Sequence, residues 1–458
     1  MIDFSATVAA IATPPGKGGV ALIRVTGPEA FAVADKCFRP SRGTPLSLCP
    51  PRTAVRGDIV DGEEVVDDGL ALLFPAPHSY TGEDTVEITC HGGLLVTRTV
   101  LEVILSAGAR LASAGEFTRR AYMNGTLSLT EAEGIGSLLE ATSRGQLRLS
   151  ARESRSRLSL ALSALHEELV LVMASLYATI DYPEEDLAQL SREDLTQRLT
   201  EAQRTMRALL ATYKTGRTIA EGIPTVICGR PNVGKSSLYN LLCCEDAAIV
   251  TDVAGTTRDV LERTVALGDL TLHLSDTAGI HETEDLVEKI GVERSRAKIE
   301  ESQLVFAVFD ASEALTDEDL RLIDALRGTS ATVVAILNKW DLPHADMQAV
   351  EDAFSHVLTL SAKTGDTAPL ALLVRDLFTD GAVQIGQDAI LSNARQYASL
   401  ATALEQLTYA LEALAAGVPA DVACGDLEAA IGSLSMLDGR EVSQEVVDRI
   451  FSHFCVGK

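Results

Sequence analysis

Residues 229–236 have the spacing of a phosphate-binding loop, with the sequence GRPNVGKS. The loop follows a short apolar run, 225–228, and precedes a helical pattern, which is the strand-to-helix context that G-x-x-x-x-G-K-[ST] needs. Glycines let backbone N–H groups and the helix N-terminus face a phosphate. We therefore expect Lys235 to reach the β- and γ-phosphates of a nucleotide and Ser236 to ligate Mg²⁺. A plain glycine turn is the weaker alternative, because a strand precedes the loop.

Two later segments could select the base of that nucleotide. Residues 338–341 (NKWD) end an apolar run, and Asp341 can accept hydrogen bonds from both N1–H and the exocyclic amine of guanine. Adenine offers an acceptor at N1 and no amine at C2, so it would leave that carboxylate unpaired. Residues 361–363 (SAK) follow the next strand and can present a backbone N–H to the guanine oxygen. The pattern predicts specificity for GTP.

Two further segments bear on hydrolysis. Residues 276–279 (DTAG) follow the apolar run 270–274, so Asp276 can hold Mg²⁺ through its waters. The loop 251–259 lies where switch I should be, and its Thr257 is suited to Mg²⁺. Ile280 stands where Ras-like GTPases carry the glutamine that orients the attacking water, and no glutamine occurs between 276 and 302. The acids available in its place are Glu282, Glu284, Asp285 and Glu288.

These motifs occur in the expected order, each at the carboxyl end of a predicted strand, where open α/β sheets bind ligands. The residues predicted to bind GTP are Asn232, Val233, Gly234, Lys235, Ser236, Ser237, Thr251, Asp252, Val253, Ala254, Gly255, Thr256, Thr257, Asp276, Thr277, Ala278, Gly279, Asn338, Lys339, Asp341, Ser361, Ala362 and Lys363.

The elements that must position these residues change in character along the chain of 458 residues, a length that favours two or three domains. Residues 1–118 mix short β-like runs with helical stretches and predict a small α+β domain. Residues 119–218 and 381–458 are helical, and residues 158–169 repeat leucine at spacings of four and three. Residues 219–380 alternate apolar runs with helices, which predicts a parallel sheet with helices on both faces. The fold class is thus a P-loop GTPase domain inserted into a helical domain and preceded by the α+β domain.

Composition limits the partners. The formal net charge of −26 repels polyanions over most of the surface, so any contact with nucleic acid must be local. One candidate is a row of arginines, for which a solvated helix face and an RNA contact both stay open: Arg144, Arg148, Arg152 and Arg155. The eight cysteines form no C-x-x-C pair, which predicts reduced, mostly buried thiols. Because no apolar run of about 18 residues or signal peptide is evident, we expect a cytoplasmic protein without a membrane partner.

The motif set resembles that of the tRNA-modification GTPases of the MnmE (TrmE) family over essentially the whole chain. The resemblance also rests on residues 454–458 (FCVGK), 81–84 (TGED) and 91–93 (HGG). It implies an amino-terminal domain that dimerises and binds 5-formyltetrahydrofolate, a split helical domain, and a GTPase domain stimulated by K⁺. It further implies a homodimer that, with the flavin-dependent partner MnmG (GidA) in a heterotetramer or larger complex, modifies C5 of the wobble uridine of certain tRNAs with an aminomethyl-type group.

The resemblance assigns roles to individual residues. It implies a K⁺ site, a water-orienting glutamate with two further catalytic residues, and a folate site: Asn232, Thr251, Val253 and Thr256 for K⁺; Glu288, Lys235 and Cys455 for catalysis; Arg24, Glu87, Thr126 and Lys458 for folate. Thr126 departs from the family pattern, which commonly has a lysine there, so one charge contact to an anionic folate is lost. Plainer interpretations are a solvated acid for Glu288, a structural ion pair for Arg24 and Glu87, and a buried thiol for Cys455.

A regulatory GTPase switch in ribosome assembly or signalling is the alternative function. Such a protein would usually append a basic RNA-binding module, whereas this chain appends an acidic helical half that ends in FCVGK. The flanking sequence therefore favours tRNA modification.

Overall fold

The computed structural model describes residues 4–155, 157–181, 191–244, 262–275, 298–363, 365–381, 383, 388–418, 420–452 and 454–457. It divides into two compact units. The first comprises Met1–Gly136, Glu153–His166 and Ile431–Lys458, and the second comprises Ser137–Arg152 and Glu167–Ala430. The division into residues 1–118, 119–218, 219–380 and 381–458 stays a prediction.

A seven-stranded sheet dominates the first unit, with the strand order β3-β4-β5-β6-β2-β1-β7. Its elements are β1 Val8–Ile11, β2 Ala21–Thr26, α1 Ala30–Cys37, β3 Phe38–Pro40, β4 Val55–Asp61, β5 Glu64–Phe74, β6 Thr85–Cys90, α2 Leu94–Ser106, β7 Arg110–Leu111 and α3 Glu116–Met123. Alternating residues of the strands, such as Ile23 and Val25, pack with Val100 and Ile104 of α2 in one core. The predicted small α+β domain is confirmed.

Helices occupy the flanking segments, as predicted: α4 Leu129–Glu140, α5 Arg144–Glu153, α6 Arg157–Asp181, α7 Arg192–Ala211, α8 Tyr213–Glu221, α13 Ala394–Ala415, α14 Ala420–Asp438 and α15 Gln444–Ser452. The repeated leucines of α6 are all buried: Leu158, Leu162, Leu165 and Leu169. Helix α7 begins with a capping box, in which Ser191 and Asp194 each accept from the other's backbone N–H. The arginine row is shorter than its spacing predicts, because α5 ends at Glu153, before Arg155.

Residues 144–178, which include α5 and most of α6, are long and apolar enough to cross a bilayer by length and composition alone. Of the 18 most apolar consecutive residues in this range, 33% are buried. Near its middle stand two glutamates, and Glu168 forms an ion pair with Arg198 at 2.8 Å. Because carboxylates are costly inside a bilayer, these residues favour a helix that packs against protein.

The second unit contains a six-stranded sheet in the order β13-β12-β11-β8-β10-β9. Its elements are β8 Ile223–Cys228, α9 Lys235–Cys244, β9 Glu262–Leu267, β10 Leu270–Ser275, β11 Leu304–Asp310, α10 Asp317–Leu326, β12 Thr332–Asn338, α11 Gln348–Ala353, β13 Val357–Thr359 and α12 Ala368–Phe378. Successive residues of β11 enter different cores: Phe306 packs with residues of α9 and α12, whereas Val305 packs with residues of α10 and α11. Helices therefore cover both faces.

The sheet departs from the predicted parallel arrangement at one edge. Strand β9 runs antiparallel to β10, with Leu267 opposite Leu270. The two-residue connection through Gly268, whose φ is 63°, permits only a hairpin, because a parallel crossover needs a dozen or more residues. The other described pairings are parallel, as expected.

Candidate functional site

The phosphate loop joins the end of β8 to the start of α9. Its backbone takes left-handed or otherwise unusual conformations at Gly229 (φ 152°), Asn232 (φ 64°) and Gly234 (φ 101°). A Cβ at Gly234 would overlap the amide nitrogen of Asn338, so only glycine fits between the loop and that side chain. The loop therefore needs its glycines for both curvature and close approach.

Lys235 is the first residue of α9 and folds over the loop that precedes it. Its ammonium Nζ donates to the carbonyl oxygens of Gly229 at 2.9 Å and Arg230 at 2.8 Å. Burial lowers the pKa of the Lys235 ammonium from its ordinary value. A desolvated cation held in this way interacts more strongly with a phosphate than one in bulk water. Ser236 and Ser237 follow on the first helical turn.

Asn338 joins the phosphate loop to the base-binding loop. The side chain is 2% exposed; Nδ2 donates to the Val233 carbonyl at 2.8 Å and Oδ1 accepts from the Ala362 N–H at 2.9 Å. One amide thus fixes the base-binding loop to a phosphate loop that lies 105 positions away in the chain. The structure gives Asn338 a bracing role that the NKWD pattern alone does not reveal.

Lys339 has a left-handed backbone conformation (φ 60°), and its Nζ donates to Asp310 Oδ2 at 2.5 Å. Burial raises the pKa of the Asp310 carboxyl, but hydrogen bonds from Lys339 and Ser312 outweigh it and hold that pKa below its ordinary value. Sequence reasoning missed Asp310. Its signal was its place as the last residue of β11, since carboxyl ends of parallel strands meet at one edge.

Asp341, the predicted reader of guanine, is exposed and oriented. Its Oδ1 accepts from the Ser361 hydroxyl at 2.6 Å. That bond and the residue's own backbone N–H hold the pKa of the Asp341 carboxyl below its ordinary value, so it is an acceptor at neutral pH. Ala362 lies beside it through its bond to Asn338, and Lys363 is exposed. The structure therefore brings the predicted phosphate and base segments together at the carboxyl ends of β8, β12 and β13.

Several predicted residues lie outside the described part of the chain. They are Thr251, Asp252, Val253, Ala254, Gly255, Thr256, Thr257, Asp276, Thr277, Ala278, Gly279, Glu288 and Lys458. Their roles stay predictions.

In the first unit, Arg24 on β2 lies directly opposite Glu87 on the neighbouring antiparallel strand β6. Arg24 donates to Glu87 Oε1 from Nε at 2.9 Å and from Nη2 at 2.8 Å. Its guanidinium also lies 5.1 Å from the Tyr80 ring centroid and 5.6 Å from that of Phe117. The Thr126 hydroxyl donates to the carbonyl of Ala121 in the last turn of α3, at 2.8 Å. The structure thus contains the ion pair that the plainer interpretation requires.

The carboxyl-terminal segment packs within this same unit. Phe454 joins a core with Phe451 and Leu129. Val456 forms an isolated antiparallel bridge with Ala114, and the Gly115 N–H donates to the Cys455 carbonyl at 3.3 Å. Cys455 is exposed, so the buried-thiol interpretation is wrong. Among the other described cysteines, Cys37, Cys90 and Cys424 are buried as predicted, whereas Cys49, Cys228 and Cys243 are only half-buried.

Comparisons with known proteins cover nearly the whole chain. The family model described as GTP-binding protein TrmE N-terminus matches residues 7–126, and the MnmE helical domain model matches residues 129–455. The tRNA modification GTPase MnmE of Bacillus licheniformis is 41% identical over 99% of this chain and 100% of its own length. Its Bacillus subtilis counterpart is 39% identical with the same coverage.

Among solved structures, the chain is similar to a single-residue variant of Aquifex aeolicus Era bound to GDP.AlF4-. That similarity has a TM-score of 0.28 and 20% identity, and it covers 40% of this chain and 66% of the Era chain. It is too low to add to the assignment.

Proposed function

Because this chain belongs to the MnmE family of tRNA-modification GTPases, we propose that it is a K⁺-stimulated GTPase that helps to modify C5 of the wobble uridine of certain tRNAs. The group installed is of the aminomethyl type, and the reaction requires the flavin-dependent partner MnmG. The observation that carries the proposal is the Asn338 brace between the phosphate loop and the base loop, in a chain that contains both family domains. The protein works in the cytoplasm as a homodimer, with tRNA as its target.

Magnesium fits the phosphate end of the site. Ser236 lies on the first turn of α9, next to Lys235, and its hydroxyl is the hard oxygen ligand that Mg²⁺ prefers. Ser236 and Thr257 would hold the ion, and Asp276 would act through its waters. Bound there, the ion would neutralise charge on the phosphate oxygens. Lys235 binds and orients the β- and γ-phosphates.

Potassium is assigned to Asn232, Thr251, Val253 and Thr256. The exposed position and left-handed backbone of Asn232 at the tip of the phosphate loop support the proposal, because they leave its amide oxygen accessible to a cation beside the phosphates. Such a cation would take the place of an arginine finger. Replacing K⁺ by Na⁺ at constant ionic strength should lower GTP turnover strongly, by up to about a thousandfold, the lower end of what an arginine finger supplies. Equal turnover in the two salts would refute the proposed K⁺ site.

Glu288 is assigned the orientation of the attacking water, since Ile280 cannot do it. Glu288→Ala should leave GTP affinity unchanged and lower turnover by about a hundredfold, the usual effect of losing a group that orients a proton transfer. Glu284→Ala is the matched control from the same acidic segment and should keep its turnover. Normal turnover in Glu288→Ala would show that Glu288 has no catalytic role.

5-Formyltetrahydrofolate is assigned to Arg24, Glu87, Thr126 and Lys458, with Cys455 nearby in the modification chemistry. Support comes from the half-buried Arg24 beside the rings of Tyr80 and Phe117, a cationic and aromatic setting that suits a flat aromatic ligand. Calorimetric titration of wild type and Thr126→Lys with the folate tests this assignment. The lysine should tighten binding, and the absence of heat with both proteins would refute it.

A further inference from the structure

We infer that Arg230 is a positioning residue, which fixes the phosphate loop by pinning it to the N-terminus of α10. Arg230 is the second residue of the loop, where a cation is expected at first sight to bind phosphate. Its guanidinium is instead engaged by two carboxylates: Nε donates to Asp319 Oδ2 at 3.1 Å and Nη2 donates to Glu313 Oε2 at 2.9 Å. The inference rests on GTP binding alone and not on the tRNA reaction.

The anchor at the other end of this contact is buried and rigid. The Asp319 side chain is 2% exposed, while that of Arg230 is 15% exposed. Asp319 is also the third residue of α10 and forms its capping box with Thr316: Asp319 Oδ2 accepts from the Thr316 N–H at 2.9 Å and the Thr316 hydroxyl at 2.8 Å. Helix α10 in turn packs against the sheet through Ile323 and Leu326. Arg230 is therefore tied to a part of the core and not to a mobile side chain.

The Arg230 guanidinium also stabilises the buried Asp319 carboxylate. Among the described atoms, Asp319 Oδ1 is buried with no hydrogen-bond partner. A buried carboxylate that loses its cationic partner is costly, because its charge is no longer compensated. The contact is thus maintained from both sides.

The contact also bears on the position of the Lys235 ammonium. The backbone carbonyl of Arg230 is one of the two oxygens that accept from Lys235 Nζ. A side chain that fixes residue 230 therefore fixes an acceptor of Lys235 and the start of the turn that presents N–H groups to the β-phosphate. Donors that are fixed before the ligand binds need no reordering on binding, and this lowers the entropic cost.

The same short segment braces the base end of the site. Asp310, at the end of β11, accepts from Lys339 of the base-binding loop, and Glu313 and Asp319 hold Arg230. Residues 310–319 thus contact both loops that grip the nucleotide, which makes them the common support of the site.

The test measures nucleotide affinity and steady-state kinetics of the full-length protein carrying Arg230→Met, which keeps an apolar stem but removes the fork. GDP and GTP affinity should both fall about tenfold, equivalent to about 1.4 kcal/mol, because the loop contacts the β-phosphate that they share. KM for GTP should rise by a similar factor, with kcat changed less. Arg230→Lys should recover part of the affinity, because it restores the charge without the planar fork.

Two further variants serve as a control and as an independent test of the contact. Arg217→Met removes an exposed ion pair with Glu221, of which the two side chains are 53% and 51% exposed, and should leave affinity unchanged. Asp319→Asn approaches the contact from its other side and should match Arg230→Met, while the double variant should lose no more affinity than the weaker-binding single variant. Melting temperature is measured without nucleotide in each case. If affinity stays within about twofold of wild type in both Arg230→Met and Asp319→Asn, a threshold below about 0.5 kcal/mol, the inference is wrong even where melting temperature falls.

Discussion

Single residues divide the work of nucleotide recognition between contact and support. Asp341, the proposed contact to the base, is exposed, whereas Asn338 is buried and joins the two loops. The sequence pattern predicts both positions because each motif has a short, fixed spacing at a strand end. It predicts the chemistry of Asp341 from the carboxylate alone. The bracing roles of Asn338 and Asp310 depend on which strands become neighbours, so no local pattern contains them.

Base choice can be tested at Asp341. Asp341→Asn should weaken GTP binding by about a hundredfold and improve binding of xanthosine triphosphate, because the amide can donate where the carboxylate only accepts. Competition binding with the two nucleotides measures the change. Asp346→Asn, a substitution in the following loop, is the matched control and should keep the preference for GTP. Unchanged GTP affinity in Asp341→Asn would contradict the recognition scheme.

Secondary-structure elements were predictable where apolar periodicity was strong. The strands β8, β10, β11 and β12 lie where short apolar runs predict them, and α6 buries its repeated leucines. The antiparallel edge strand β9 was missed, because Glu262–Leu267 mixes charged and apolar residues and looks like a loop. For the arginine row, a solvated helix face and an RNA contact both stay open: Arg148 is exposed, and it forms an ion pair with Asp269 at 3.2 Å.

That ion pair belongs to a contact between α5 and the turn of the β9–β10 hairpin, both in the second unit. The Ser143 hydroxyl donates to the Asp269 carbonyl at 3.3 Å, and Gln146 donates to the Ala220 carbonyl at 3.0 Å. A Cβ at Gly145 would overlap the Asp269 carbonyl oxygen. The helix therefore lies directly against the turn that connects the two strands.

Gly145→Ala tests how closely the helix and the turn must approach. In an open helix the change would stabilise, but here it should lower unfolding free energy by about 1–3 kcal/mol, because backbone must move to admit the methyl group. Thermal unfolding measures the effect. Gly432→Ala in α14 is the control, since its Cβ would meet nothing within 4 Å, and it should be neutral or stabilising. A Gly145→Ala protein as stable as wild type would show that the contact is loose.

The whole molecule combines a nucleotide site in one compact unit with a carboxyl-terminal segment packed in the other. Family membership gives the reaction class, a tRNA-modification GTPase. The net charge of −26 means that a tRNA must be bound through local contacts or with a partner's help. The sequence could not supply the architecture of those contacts, because they depend on surfaces built from segments far apart in the chain.

Nucleoside analysis of tRNA measures the proposed modification of the wobble uridine. Total tRNA from cells that lack this protein, digested and separated by mass, should lack the C5-modified wobble uridines and contain less modified forms instead. The wild-type protein should restore them, whereas Asp341→Asn should restore them poorly. Wobble uridines that are unchanged in the cells lacking the protein would refute a role of this protein in their modification.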